Sequence, residues 1–341
     1  SVKTPEGWIE SVFRNRPGLT YFKCDGLNVL ETFKVAREVS AFVRKERKPA
    51  FLHMSCVRLF GHAGPDHQDS YLSKAEIARQ DNNDPLLHSG RLLVEEAGFN
   101  GAQVRDIYLD IGERVQRAAE EAITRPKLET ASQVMASIVP PKRQPSLSNG
   151  PAPERRRETF GSDAATLGNP QHMARLINWA LTDLLLEHDD IVMAGEDIGK
   201  KGGVYGVTTK LQARFGPHRI IDSLLDEQAI LGLAIGLAHN GILPIAEIQF
   251  LAYLHNAEDQ LRGEAATLSF FSKGQYSNPM VVRIAGLAYQ RGFGGHFHND
   301  NGIAALREIP GLLIGCPARG HDAVRMLRTL VGAAEACGRV S

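Results

Sequence analysis

From Pro170 onward the sequence alternates helical patterns with short apolar runs, and few architectures accommodate that alternation. A helical pattern from about Pro170 to His188 leads into Ile191-Val192-Met193-Ala194. Further apolar runs follow at Arg219 to Asp222, Leu243 to Gln249, Met280 to Ala285 and Leu312 to Cys316, with helical patterns between them. Strands separated by helices are the signature of an α/β fold with a largely parallel sheet, and a doubly wound layer is the expectation here. The Ala- and Gly-rich stretch from Gln228 to Asn240 suits a helix packed closely against its neighbours.

Upstream, Val139 to Glu158 reads VPPKRQPSLSNGPAPERRRE, almost free of large apolar residues. Such a stretch buries too little surface to offset its ordering entropy, so an extended tether is expected. The chain is therefore expected to divide into residues 1–138, a Pro-rich linker at 139–162 and a second globular segment at 163–341. The first segment opens with turn-rich sequence. Val29 to Arg47 then carries Val29, Leu30, Phe33, Val35, Ala36, Val39 and Phe42 at close to helical spacing. Ala50 to Val57 reads as a buried strand, and Gly101 to Thr124 as a long amphipathic helix with Val104, Ile107, Ile111, Val115, Ala118 and Ala122 on its apolar face.

A length of 341 residues suits two domains, and 43% hydrophobic with 23% charged residues is ordinary for a globular protein. A formal net charge of +0 gives no bulk attraction to nucleic acid or to an anionic membrane. The basic run Arg155-Arg156-Arg157 has no interleaved aromatics and reads as solvated linker. The four cysteines form no C-x-x-C pair, which points to a reducing, cytoplasmic setting without a thiolate zinc site. No apolar run approaches the ~20 residues needed to span a bilayer. Ser1 to Pro5 has neither an initiating Met nor a signal-peptide core, so the chain is expected to begin inside a longer protein.

In open parallel sheets, ligands gather beyond the carboxyl ends of the strands. Glu196 follows the first strand, Glu227 follows the second and opens the next helix, and His296 and His298 follow the Gly-rich Arg291 to Gly295 after the fourth. Each also has a plain reading. Glu196 fits a loop carboxylate, and Glu227 fits a first-turn acid that favours the helix dipole. The two histidines would face opposite ways in an extended chain. The glycine cluster lacks G-x-G-x-x-G spacing, so it is no dinucleotide fingerprint.

Taken in order, these residues resemble a known family. The stretch from Val192 to Phe250, then Ala252-Tyr253, the Gly-rich loop, His298 and Pro310-Gly311-Leu312, resembles the beta subunit of branched-chain and pyruvate dehydrogenases across residues 163–341. Arg58-Leu59-Phe60-Gly61-His62-Ala63-Gly64-Pro65-Asp66 resembles the R-x-x-G-H-S-x-x-D loop of the alpha subunit, with Asp25-Gly26, Tyr71 and Asp84-Pro85 at family-like positions. Read without the resemblance, that loop is a surface turn, because His62, Asp66 and His67 lack the spacing of a usual metal-ligand set. The chain thus resembles a thiamine diphosphate-dependent 2-oxo acid dehydrogenase, the decarboxylating component, with alpha-type and beta-type pieces fused. The resemblance implies a thiamine diphosphate-binding fold. The C-terminal part of a diphosphate-binding module, with a helical tail, would precede a transketolase-like pyrimidine-binding module.

It also implies roles. In this family a carboxylate hydrogen-bonds the aminopyrimidine ring and favours the imino form that deprotonates the thiazolium carbon; Glu227 stands at that position. A partly desolvated Glu suits the task because burial raises a carboxylate's pKa. Tyr253 matches the aromatic residue that packs on the aminopyrimidine, and Glu196 and Gln249 match positions lining the cofactor cavity. His62 and His298 match histidines that handle protons around the decarboxylated adduct and its transfer to lipoamide, and Arg58 matches a residue that positions the loop or an anionic group. The partners implied are a 2-oxo acid, a lipoyl-bearing acyltransferase and a second copy of the fused chain.

Two departures stand out. Ala63 replaces the Ser that many alpha subunits carry, which removes phosphorylation there as a route of regulation. The G-D-G…N motif that holds magnesium and the diphosphate is absent, and Cys24-Asp25-Gly26-Leu27-Asn28 lacks its spacing. The magnesium ligands are therefore expected upstream of Ser1. A further domain is expected beyond Ser341, and this piece alone is expected to have weak or no activity. The substrate expected is a branched-chain 2-oxo acid of the 2-oxoisovalerate type, from Ile248-Gln249-Phe250 with Tyr253; a pyruvate or acetoin dehydrogenase is the alternative. A non-catalytic assembly module and a Rossmann-type nucleotide binder are the alternatives of another class.

Overall fold

Parallel neighbouring strands need a crossover of a dozen residues or more, and the first part of the chain supplies one with a helix. The computed structural model describes residues 5–136, 150–287 and 294–337. It divides into two units, Ser1–Pro126 and Lys127–Ser341. In the first, β1 (Thr20–Asp25), α1 (Val29–Glu46) and β2 (Ala50–Ser55) form a β–α–β crossover, with Thr20 opposite Ala50 and Asp25 opposite Ser55. Asn28 caps α1 by accepting from the Leu30 and Glu31 backbone N–H groups. The turn-rich reading of the N-terminal stretch missed β1, and β2 is half-buried rather than buried because only two strands make this sheet. Helix α2 (Pro85–Glu95) begins with Asp84 as cap and Pro85 in its first turn. Helix α3 (Gly101–Thr124) has the expected bounds, set by a reciprocal Asn100–Gln103 capping box. Its apolar face stays open: Ile107 is 44% exposed and Val115 63%.

In the second unit the expected tether is partly wrong. Residues 137–149 lie outside the described residues, but α4 (Pro153–Phe160) is helical and packs against the unit. Its anchor is Phe160, buried, with its ring centroid 6.5 Å from that of Trp179 and the Arg156 and Arg214 guanidinium groups over its faces at 5.2 and 5.3 Å. Arg156 also donates to Asp183 at 2.8 Å. One buried aromatic ring and its two cations thus order a segment whose composition reads as linker.

Helix α5 (Met173–Glu187) leads into β3 (Ile191–Glu196). Then come β4 (Ile220–Ser223), α6 (Glu227–His239), β5 (Leu243–Ile248), β6 (Val281–Ile284) and α7 (Gly320–Cys337). The sheet order is β4-β3-β5-β6 and every pairing is parallel. One core joins α5, α7 and the sheet through Leu181, Leu185, Met193, Ile245 and Val331; another lies around α6 and Ile248. The expected fifth strand at Leu312 to Cys316 does not form. The segment runs against α7 instead, where a Cβ on Gly315 would come within 3.0 Å of the Leu330 Cδ1. A largely apolar cavity of about 910 Å³ lies between it and β6. Among the described residues no helix is long and apolar enough to cross a membrane.

Asp163 ties the start of this unit to its body. Its carboxylate meets Arg214 at 2.9 Å, Lys210 at 3.1 Å and Arg175 at 3.2 Å. Burial opposes ionisation, but the Lys210 hydrogen bond and the three cationic charges outweigh it and hold the group below its usual 3.8. A depressed folded pKa means stability that is present above the unfolded value and lost as pH falls through the folded one. Asp163→Asn is therefore expected to cost roughly 2 kcal/mol at neutral pH and to remove part of the acid sensitivity below about pH 4. Denaturant unfolding followed by tryptophan fluorescence checks both, and an unchanged midpoint would contradict the assignment.

Candidate active site

Parallel strands deliver their carboxyl ends to one edge of the sheet, and the residues singled out in the second unit collect there. Glu196 is the last residue of β3, and Glu227 is the first of α6, the helix that follows β4. Because β3 and β4 are neighbours, with Glu196 opposite Ser223, the two carboxylates come close enough to interact. Glu227 is buried, and its Oε2 accepts from Asn256 Nδ2 at 3.3 Å. Asp226 caps α6 by accepting from the Ala229 N–H, which fixes where Glu227 begins the helix. Glu196 is half-buried and its pKa is raised, by burial first and then by the Asp197 and Glu227 charges, with Lys201 opposing. It keeps its proton to higher pH than an ordinary carboxylate.

A second cluster is aromatic. Gln249 and Phe250 follow β5, and Tyr253 lies one helical turn on. The Tyr253 hydroxyl is 3.1 Å from His298 Nε2, and the Phe250 ring meets the His298 ring edge-on at 4.5 Å. His298 ends a single helical turn, Gly295–His298, so the extended geometry considered for the His296 and His298 pair does not apply. Residues 288–293 of the preceding Gly-rich loop lie outside the described residues. Asp300 accepts from His255 at 3.3 Å and ties this turn back to the residues after Tyr253. Gln249 is half-buried at the end of β5.

Beneath the site, three facing residues cross the sheet: Gly195 on β3, Glu247 on β5 and Arg283 on β6. Arg283 Nε donates to Glu247 Oε2 at 2.9 Å, and both side chains are nearly excluded from solvent. Gly195 makes room for them, since a Cβ there would stand 2.9 Å from the Glu247 Cβ.

In the first unit, Arg58 and His62 sit on an exposed loop organised by Asp66. The Asp66 carboxylate accepts from the His62 backbone N–H at 2.6 Å and from the Tyr71 hydroxyl at 3.2 Å, with Arg58 4.0 Å away. Its pKa is lowered, chiefly by the His62 backbone bond. Gly61 closes the loop, because a Cβ there would fall 2.3 Å from the Asp66 carbonyl oxygen.

Comparison with known proteins places both units. Residues 16–131 match the family described as dehydrogenase E1 component, and residues 169–337 match the transketolase pyrimidine-binding domain. The beta subunit of 2-oxoisovalerate dehydrogenase from Pseudomonas aeruginosa is 34% identical over 47% of this chain and 48% of its own length. The beta subunit of the pyruvate dehydrogenase E1 component from Staphylococcus epidermidis is 38% identical over 46% of this chain and 47% of its own. The chain is a fused alpha/beta-type member of the thiamine diphosphate-dependent 2-oxo acid dehydrogenase family. It spans about half the length of the curated relatives it matches. A Pichia stipitis transketolase structure superposes with a TM-score of 0.47 at 14% identity over 94% of this chain and 46% of that one, too loosely to add to the assignment.

Arg58 and His62 fall in the dehydrogenase E1 match, and Glu196, Glu227, Gln249, Tyr253 and His298 in the pyrimidine-binding match. Sequence reasoning missed Asn256, which touches Glu227, and named Phe250 only for substrate preference, not for its contact with His298. It also missed the Glu247–Arg283 pair, although a charge inside each of two apolar strand runs marks it. Arg283→Met leaves a buried carboxylate without its counter-charge and is expected to cost about 3–5 kcal/mol. The double variant Glu247→Gln with Arg283→Met should recover much of that loss, and denaturation midpoints for the three proteins test the coupling.

Proposed function

We propose that this chain contributes to the thiamine diphosphate-dependent oxidative decarboxylation of a 2-oxo acid, from which the acyl group passes to a lipoyl-bearing acyltransferase. The observation that carries the reading is the buried Glu227 carboxylate, placed beside Glu196 within the pyrimidine-binding match. These residues fit the pyrimidine end of the cofactor. Asn256 takes only Oε2 of Glu227, which leaves Oε1 to accept from a ring N–H, and the Tyr253 and Phe250 rings supply an aromatic wall nearby. Bound thiamine diphosphate supplies the electron sink that decarboxylation of a 2-oxo acid requires.

Glu227 holds the aminopyrimidine by its carboxylate, and Glu196 and Gln249 line the same cavity. His298 holds protons for the reacting substrate; in the first unit, His62 is assigned a proton-handling role of its own, and Arg58 positions its loop or an anionic group. Among the described residues no three His, Cys, Asp or Glu side chains converge as a metal-ligand group, so no step is assigned to magnesium. The beta-subunit names of the relatives support a multienzyme assembly, in which the fused chain pairs with a second copy. The unpaired Cys24, Cys56 and Cys316 suit a reducing, cytoplasmic setting. The substrate is a branched-chain 2-oxo acid of the 2-oxoisovalerate type. Pockets of this kind discriminate by about 1–3 kcal/mol per methylene, and kinetic comparison of 2-oxoisovalerate with pyruvate separates the two.

Calorimetric titration of thiamine diphosphate with magnesium into the protein tests binding. Glu227→Gln is nearly isosteric and should retain the circular dichroism of the parent. It is expected to slow hydrogen–deuterium exchange at the cofactor's thiazolium carbon by roughly 10²-fold or more. Equal exchange rates in parent and variant would remove Glu227 from its role, and absence of binding by the full-length protein would favour a non-catalytic assembly module.

A further inference from the structure

Contacts with Gly294, Tyr253 and Phe250 hold the His298 ring, and the first two fix where its proton sits. The Gly294 carbonyl oxygen lies 3.0 Å from Nδ1. A carbonyl can only accept, so Nδ1 must carry the hydrogen. A neutral imidazole with its proton on Nδ1 offers a lone pair at Nε2, and the Tyr253 hydroxyl 3.1 Å away must then donate to it. The third contact is the Phe250 ring, 4.5 Å from the His298 centroid at 79°. Phe250 is itself only 8% exposed, which makes it a firm wall. The seat is closed from behind at Gly294, whose φ of 96° favours glycine and where a Cβ would fall 2.4 Å from the His298 Cβ.

We propose that Tyr253 is a positioning residue. Its hydroxyl, together with the Gly294 carbonyl, holds His298 in the Nδ1–H tautomer and presents Nε2 as the basic nitrogen. The inference deepens the proposed function and rests on the reading that His298 handles protons at this site. A hydroxyl is suited to the task because it both donates and accepts. It donates to Nε2 while the ring is neutral and turns to accept once Nε2 is protonated, so His298 keeps its partner in both states. The Tyr253 ring and the Tyr253 hydroxyl therefore have separable jobs: the ring forms part of the aromatic wall, and the hydroxyl sets the histidine.

Nitrogen NMR of protein labelled at histidine, with the His298 signals assigned by their loss in His298→Gln, reads the tautomer directly. In the parent protein, which needs no variant to be informative, Nδ1 is expected to be protonated and Nε2 bare but hydrogen-bonded. In Tyr253→Phe the Nε2 resonance should move toward that of an unbonded ring nitrogen. Turnover should fall roughly tenfold while KM changes little, the pattern of an interaction that matters in the transition state. A proton on Nε2 in the parent, or an Nε2 resonance unmoved by Tyr253→Phe, would overturn the proposal. Failure of the parent to bind thiamine diphosphate would overturn the proposed function instead, and the nitrogen spectra would still decide the tautomer.

Discussion

The second unit depends on one constraint: its four paired strands run the same way. Parallel strands must be joined by crossovers, so every chain exit at the carboxyl edge is a loop or helix start that is free to carry chemistry. Glu196, Glu227, Gln249 and the turn bearing His298 are four such exits. The same constraint sets the sheet's interior. Gly195, Glu247 and Arg283 face one another across β3, β5 and β6, so an ion pair sits inside the sheet only because the neighbouring strand has no side chain there. Removing two charges from water is costly unless they meet each other. That pairing in turn fixes the register of the two strands that end at the site.

Strand order also decides which carboxylates become neighbours. β3 lies beside β4, so the end of one strand and the helix after the other bring Glu196 and Glu227 together, although thirty-odd residues of chain separate them. Their surroundings differ. Glu227 opens α6, where it is buried and accepts from Asn256. Glu196 has no helix start of its own and sits beside Asp197, and its raised pKa follows from burial next to like charges.

Much of this was legible in the sequence, and the exceptions have physical causes. The runs at 191, 219, 243 and 280 became strands to within two residues, because apolar content and helical intervals agree there. The run at 312–316 has the same composition but packs on α7, a choice that no local pattern encodes. β1, as Thr-Tyr-Phe-Lys-Cys-Asp, lacks the alternation that marks a half-buried strand. α4 owes its order to Phe160, held between its own Arg156 and Arg214 from a distant part of the unit, so its polar composition misleads. At the site, Glu227 could be found because strand ends are where ligands gather. Asn256, and the contact of Phe250 with His298, could not, since only tertiary packing brings these residues to Glu227 and His298.

The first unit shows how a loop can hold its shape with little core beneath it. Among its described residues only Cys24 is a buried apolar side chain, and a two-stranded sheet gives its helices little to pack on. The loop from Arg58 to Asp66 cannot therefore borrow much rigidity from hydrophobic burial. Its shape comes from local chemistry instead: one carboxylate collects a backbone N–H and a phenol hydroxyl, and a glycine allows the two ends of the loop to touch. The His62 hydrogen bond to this carboxylate is made by its backbone, so its imidazole is not used for that bond. A loop ordered largely through its main chain can present a side chain outward.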